Sequence, residues 1–199
     1  MQAFELLNVQ PGKRIFISGG TGGFGGMAIP LAKAMGLYVI TNGNGRNAER
    51  VLKLGADEFI NYRQTDYVKE LKDVDYVIDT LGGQETAKQF QILKQGGSLV
   101  SLKGMPNGDF AKRMQLPFFK KILFGLAGSR LDKMAAKHQQ KYFFIFVHAD
   151  GKQLQQAADI FEKQSLHPVV EQVYPFSELN TALQKVAQGH AKGKTVITF

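Results

Sequence analysis

Residues 14–36 read RIFISGGTGGFGGMAIPLAKAMG, an apolar strand running into a glycine-rich turn that runs into an apolar helix. Gly20, Gly22 and Gly25 fall at the spacing G-x-G-x-x-G, with Gly23 inside it. The spacing has a physical reason. Gly20 is expected to allow the tight turn that leaves the strand, Gly22 to let a pyrophosphate approach the backbone, and Gly25 to let the helix pack close to the sheet. The N–H groups at the helix start would face the phosphate, aided by the helix dipole. The preceding strand, the following helix and a second strand at 37–41 supply the context that gives such a motif meaning. The alternative is a glycine-rich turn that holds no ligand.

Further strands are expected at 58–61, 76–79, 98–102 and 143–147, with helices at 47–54, 66–71, 85–93 and 152–164. Short units alternating in this way predict an α/β fold, a doubly wound parallel sheet of Rossmann type with strand order 3-2-1-4-5-6. Residues 105–140 break the rhythm with Pro106, Pro117, many lysines and Phe110, Phe118, Phe119 and Phe124, and read as an inserted pair of helices. Short apolar pieces near 169–174, a helix at 177–187 and a strand at 194–199 close the chain.

The chain has 199 residues and no cysteine, which excludes disulfides and thiolate metal sites within it. Its four histidines, His138, His148, His167 and His190, lie far apart, so no metal site is expected. No apolar run reaches the roughly 20 residues of a membrane span, and Met-Gln-Ala-Phe-Glu lacks the features of a signal peptide. A cytoplasmic location is the default expectation. The net charge of +8 is partly local: Lys112, Arg113, Lys120, Lys121, Arg130, Lys133, Lys137 and Lys141 share one segment. An RNA surface over 112–141 is one reading, and solvated helix faces are the favoured one, because no stacking aromatics accompany the charge. The phenylalanine segment could bind a membrane surface. A pocket wall or subunit contact is preferred, since Pro117 is expected to break the helix that such binding needs.

In a dinucleotide fold the end of the second strand selects the cofactor. An acid there bonds the ribose 2′-hydroxyl of NAD, whereas a basic residue accepts the 2′-phosphate of NADP. Residues 41–47, TNGNGRN, contain no acid. Asn42 and Asn44 can donate hydrogen bonds, Arg46 offers a guanidinium fork, and Tyr62 is a further partner. The pattern points to NADP(H). A catalytic acid or base is not identified. Asp79, at the end of the fourth strand, more commonly caps a turn, and no Ser-x-x-x-Tyr-x-x-x-Lys arrangement is present.

Residues 10–25, QPGKRIFISGGTGGFG, resemble the start of the cofactor domain in medium-chain dehydrogenases/reductases, nearest the zinc-independent quinone oxidoreductase (zeta-crystallin-like) branch. LGADEFINY at 54–62, DTLGG at 79–83, FVHADG at 146–151 and GHAKGKTV at 189–196 agree with it. The resemblance implies an NADPH-dependent, zinc-independent reductase that passes hydride to a quinone or enone-type acceptor. By it, Gly22, Gly23 and Phe24 contact the pyrophosphate, and Asn44, Arg46 and Tyr62 surround the 2′-phosphate. Leu81 and Gly82 border the nicotinamide side, with Lys103 and Gly104 at the fifth-strand end. Phe146 and Val147 meet the carboxamide through their backbone, and Lys194 approaches from the C-terminal segment. Family members carry an N-terminal GroES-like domain that supplies most of the substrate pocket, so this chain resembles the back half of such an enzyme. On that basis residues 1–167 form the NADP(H)-binding domain and 168–199 a remnant that would join the catalytic domain. The resemblance also implies a homodimer through the sixth-strand edge. A non-catalytic NADPH-binding module or redox-sensor subunit is the alternative for the chain in isolation.

Overall fold

The structure, a computed structural model, describes residues 1–189 and 193–199. In chain order it forms α1 (Gln2–Leu7), β1 (Arg14–Ile17), α2 (Gly25–Ala34), β2 (Tyr38–Gly43), α3 (Ala48–Lys53), β3 (Glu58–Asn61), α4 (Tyr67–Glu70), β4 (Val74–Asp79), α5 (Gln84–Gln89) and β5 (Leu93–Ser101). There follow α6 (Gly108–Arg113), α7 (Phe118–Ala136), β6 (Lys141–Phe144), α8 (Gly151–Lys163), β7 (Val170–Pro175), α9 (Leu179–Gln188) and β8 (Lys194–Thr198). Six strands make one parallel sheet in the order β3-β2-β1-β4-β5-β6, as the alternation predicts. β7 and β8 pair in a separate two-stranded parallel sheet.

Successive residues of β1 point to opposite faces, so one strand serves two cores. Ile15 and Ile17 join Val39 and Ile78 beneath α1, α2 and α8 through Phe4, Ile29, Leu31 and Phe161. Phe16 joins Ile40, Val77 and Leu99 beneath α4 and α7 through Tyr67 and Ala135. Burial on both faces explains why these strands read as continuous apolar runs. Asp66 and Asp150 begin α4 and α8 by accepting from the Val68 and Gln153 N–H groups. Gly55, at φ +104°, follows α3.

Several elements differ from expectation, among them the sixth strand, which is Lys141–Phe144 rather than 143–147. α5 stops at Gln89, and β5 starts at Leu93, upstream of the glycine pair expected to precede it. Leu93 pairs with Val74, and the register shifts before Ser98 reaches Tyr76. Gly96 (φ +76°) therefore sits within an irregular strand rather than before it. Pro117 does not break a helix. Its φ of −54° suits the position just ahead of α7, which continues unbroken to Ala136. The expected helix pair is α6 and α7. No helix among the described residues is long and apolar enough to cross a membrane.

Candidate functional site

The glycine-rich turn is held from below by hydroxyls on both neighbouring strands. The Thr41 hydroxyl donates to the Ile17 carbonyl (2.6 Å) and accepts from the Gly20 N–H (3.1 Å). The Thr80 hydroxyl donates to the Ser18 carbonyl (2.7 Å), and the Thr80 N–H donates to Ser18 Oγ (3.0 Å). The positive φ of the turn belongs to Gly19 (+66°) rather than to Gly20. Gly20 is required for space, because a Cβ there would lie 2.0 Å from Thr41 Oγ1. A Cβ on Gly25 would lie 2.0 Å from the Gly20 carbonyl oxygen, which is the close approach expected of it. Gly22 and Gly23 are open: the nearest atoms to a Cβ there are the Gly19 oxygen at 3.5 Å and Lys194 Nζ at 3.7 Å.

Two cavities flank this turn. One, about 700 Å³, lies at the ends of β1 to β4 and is lined by Gly19, Thr21, Asn42, Gly43, Tyr62, Arg63, Tyr67, Leu81, Glu85 and Lys88. The other, about 600 Å³ and mainly apolar, is lined by Gly23, Phe24, Met27, Leu102, Ile145, Val147 and Lys194, together with residues of α1 and α8. Two chambers on either side of a turn with open glycines suit a ligand whose halves are joined by a diphosphate. The turn leads into the N-terminus of α2, which favours negative charge. By this test of shape the residues present fit a dinucleotide.

The expected site residues divide. Tyr62 and Leu81 line the larger cavity, while Phe24, Gly23, Val147 and Lys194 line the smaller. Leu81 thus shares the larger cavity with Asn42 and Tyr62. Asn42 is buried and accepts the Gly19 N–H at 2.8 Å, so its carbonyl shapes the turn instead of reaching a phosphate. Asn44 caps the short 3-10 turn 45–47 by accepting the Arg46 N–H (3.2 Å), and Arg46 points to solvent there. Gly104 is required by packing, since a Cβ would lie 2.3 Å from Tyr142 Oη. Gly82 (φ +75°) rests against Lys103, whose side chain is exposed. Phe146 is exposed and does not line the smaller cavity. Of the segment 189–196, residues 190–192, including His190, lie outside the described residues.

Sequence reasoning passed over Arg63, Glu85 and Lys88. The Tyr67 hydroxyl donates to Glu85 (2.9 Å), and Lys88 pairs with the same carboxylate (2.6 Å). Burial, then the adjacent Glu85, pushes the Tyr67 hydroxyl upward, which keeps it a donor. Arg63 was legible as a base directly after Tyr62. Arg50, whose guanidinium donates to the Thr21 carbonyl beside the glycines, carried no signal in its spacing. Asp79 is fully buried, and its carboxylate accepts from Leu81 N, Gly82 N and Gln89 Nε2 and from the Thr86 and Ser101 hydroxyls. The capping role expected of it is the one it has. No group of three or more His, Asp or Glu side chains among the described residues could hold a metal ion.

Residues 54–197 match the family described as zinc-binding dehydrogenase. The chain belongs to that family. It is 33% identical over 201 residues to human mitochondrial NAD(P)H oxidoreductase RTN4IP1, covering 94% of this chain and 48% of the relative. It is 29% identical to the trans-enoyl reductase pgmF of Aspergillus terreus, covering 94% of this chain and 51% of that protein. The quinone oxidoreductase structure from Coxiella burnetii superposes with a TM-score of 0.79 at 27% identity, covering all of this chain and 56% of that one. The chain thus spans about half the length of the family members it matches. The expected cytoplasmic location finds no support in these names, one of which is mitochondrial.

Proposed function

We propose that this chain is the cofactor-binding part of an oxidoreductase that takes hydride from NADPH and passes it to a quinone or enone-type acceptor without zinc. The observation that carries the reading is the pair of cavities on either side of a turn whose Gly22 and Gly23 are open, on a fold shared with named reductases. When bound, the nicotinamide supplies the hydride. The residues of this chain orient it. The open glycines admit the diphosphate, Lys194 offers it a cation, and the apolar wall of Phe24, Met27, Leu102 and Val147 excludes water from the other half. Preference for the 2′-phosphate is supported by the absence of acid from the end of β2, by Tyr62 and Arg63 lining the larger cavity, and by Arg46 three residues beyond β2. Zinc independence is supported by the lack of cysteine in these 199 residues.

Two structural parts belong to the same reading. Residues 1–167 act as the dinucleotide domain and 168–199 as a segment that joins a further domain, consistent with the separate β7–β8 sheet. Two copies pair through the outer edge of β6, which among the described residues pairs only with β5.

Calorimetric titration with NADPH and NADH tests the site. NADPH is expected to bind at least about tenfold tighter, with the preference falling in Arg46→Ala and Arg63→Ala, because a charge-assisted hydrogen bond contributes about 1.5–3 kcal/mol. Equal affinity for the two cofactors would overturn the phosphate assignment. Failure to bind either would overturn the site itself.

A further inference from the structure

The first half of α7 carries an apolar outer arc, with Lys120 and Lys121 on the flanks beside it. Its inner side is settled by contacts: Phe124 packs on Phe110 at 6.0 Å, Gly128 lies against Asn107, and Ala135 joins the core. Its outer side carries Phe118, Phe119, Ile122, Leu123 and Leu126, which are 77, 64, 50, 58 and 70% exposed. At 100° per residue these five span an arc of about 140° opposite the packed side. Farther along the helix the same arc presents Arg130, Lys133 and Lys137, all exposed. The one acid of α7, Asp132, turns inward to accept from Asn107 Nδ2 (2.7 Å). The outer face is therefore apolar at its N-terminal end, basic at its C-terminal end, and free of negative charge.

An exposed apolar arc of this width is normally covered. We propose that this face docks on the surface of an anionic phospholipid bilayer, with Phe118, Phe119, Ile122, Leu123 and Leu126 entering the acyl boundary and the basic end on the headgroups. Apolar insertion coupled to basic contacts is the chemistry of interfacial helices. A second copy of the chain fits less well. Parallel pairing would set Arg130, Lys133 and Lys137 against themselves, and antiparallel pairing would lay charge on the apolar half.

The chain contains no tryptophan, so Phe119→Trp gives a single reporter. With vesicles of phosphatidylcholine containing phosphatidylglycerol, its emission should shift to the blue and the protein should co-sediment. Vesicles of phosphatidylcholine alone should give neither. Phe119→Glu/Leu123→Glu should abolish sedimentation. Arg130→Gln/Lys133→Gln should weaken it about thirtyfold, from the roughly fivefold contribution of each base near an anionic surface. All these positions are exposed, and unchanged circular dichroism checks the fold. Absence of sedimentation with the anionic vesicles overturns the proposal. So does equal binding by the Glu pair, or a dimer in light scattering that the Glu pair dissociates, which would assign the face to a second copy.

Discussion

Asp79 offers the sharpest test of how the site is held. Its carboxylate is fully buried, with no basic side chain among its hydrogen-bond partners. In Asp79→Ala the Thr86 and Ser101 hydroxyls can turn to other acceptors. The Leu81 and Gly82 N–H groups and Gln89 Nε2, at 3.0, 3.0 and 3.2 Å, cannot. Three orphaned donors at about 1–2 kcal/mol each give a loss of about 3–6 kcal/mol, a large fraction of a typical domain's stability. Asp79→Asn preserves the shape. Its amide oxygen can accept from the two N–H groups and Gln89, while its NH₂ donates to the two hydroxyls, which then act as acceptors. The expected loss there is about 1 kcal/mol. Urea unfolding followed by circular dichroism reads both variants. An Asn variant as unstable as the Ala variant would show that the negative charge, and not the hydrogen-bond geometry, holds the loop. An Ala variant within about 1 kcal/mol of the parent would refute the whole account of orphaned donors.

Gly25 and Gly26 are adjacent at the start of α2 and should respond in opposite directions. Gly25→Ala drives a methyl to 2.0 Å from the Gly20 oxygen and should cost about 1–3 kcal/mol or more, whereas Gly26→Ala meets nothing within 4 Å and should gain up to about 1 kcal/mol; equal melting temperatures would contradict the packing argument. Asp75 is a pH probe. Burial raises its pKa, but Lys94, the Arg14 N–H and Lys13 together outweigh that and hold it below the ordinary carboxylate range. Its contribution to stability is thus complete above the unfolded pKa of about 3.9 and lost as pH falls through the lower folded value. Asp75→Asn should flatten the acid limb of a stability–pH profile below about pH 4 and leave its upper part parallel to that of the parent; an unchanged acid limb would sink the assignment.

The sheet was legible because each strand signals itself locally. Apolar runs such as 15–17, 39–40 and 77–78 are closed by glycine, threonine or aspartate, and the alternation with helices then fixes the order. Spacing alone announced the glycine turn. What it could not divide was the work among those glycines, because Gly20 is constrained by Thr41 and Gly25 by Gly20, contacts that exist only after β1 and β2 have paired. Asn42 gained a second task that the spacing did not show, while still lining the larger cavity. As a donor at the end of β2 it suited a phosphate, but the strand pairing aims its carbonyl at Gly19. Pro117 was read from its effect inside a helix, when the decisive question was whether any turn of helix came before it.

Among the described residues the C-terminal pair of strands forms its own sheet, yet it reaches the candidate site. Lys194 opens β8, donates its N–H to the Val169 carbonyl at 2.7 Å, and brings its ammonium beside Gly23. It also lines the smaller cavity, and with Val169 and Gly193 borders the space against Gly22 and Gly26. An anion seated on the glycine turn therefore meets N–H groups from one sheet's connection and a cation from the other sheet. Its binding would draw β8 towards α2, and loosening β8 would in turn withdraw the cation. Cofactor affinity and the packing of the last thirty or so residues are then two readings of one equilibrium, as linkage requires of any ligand that contacts both parts.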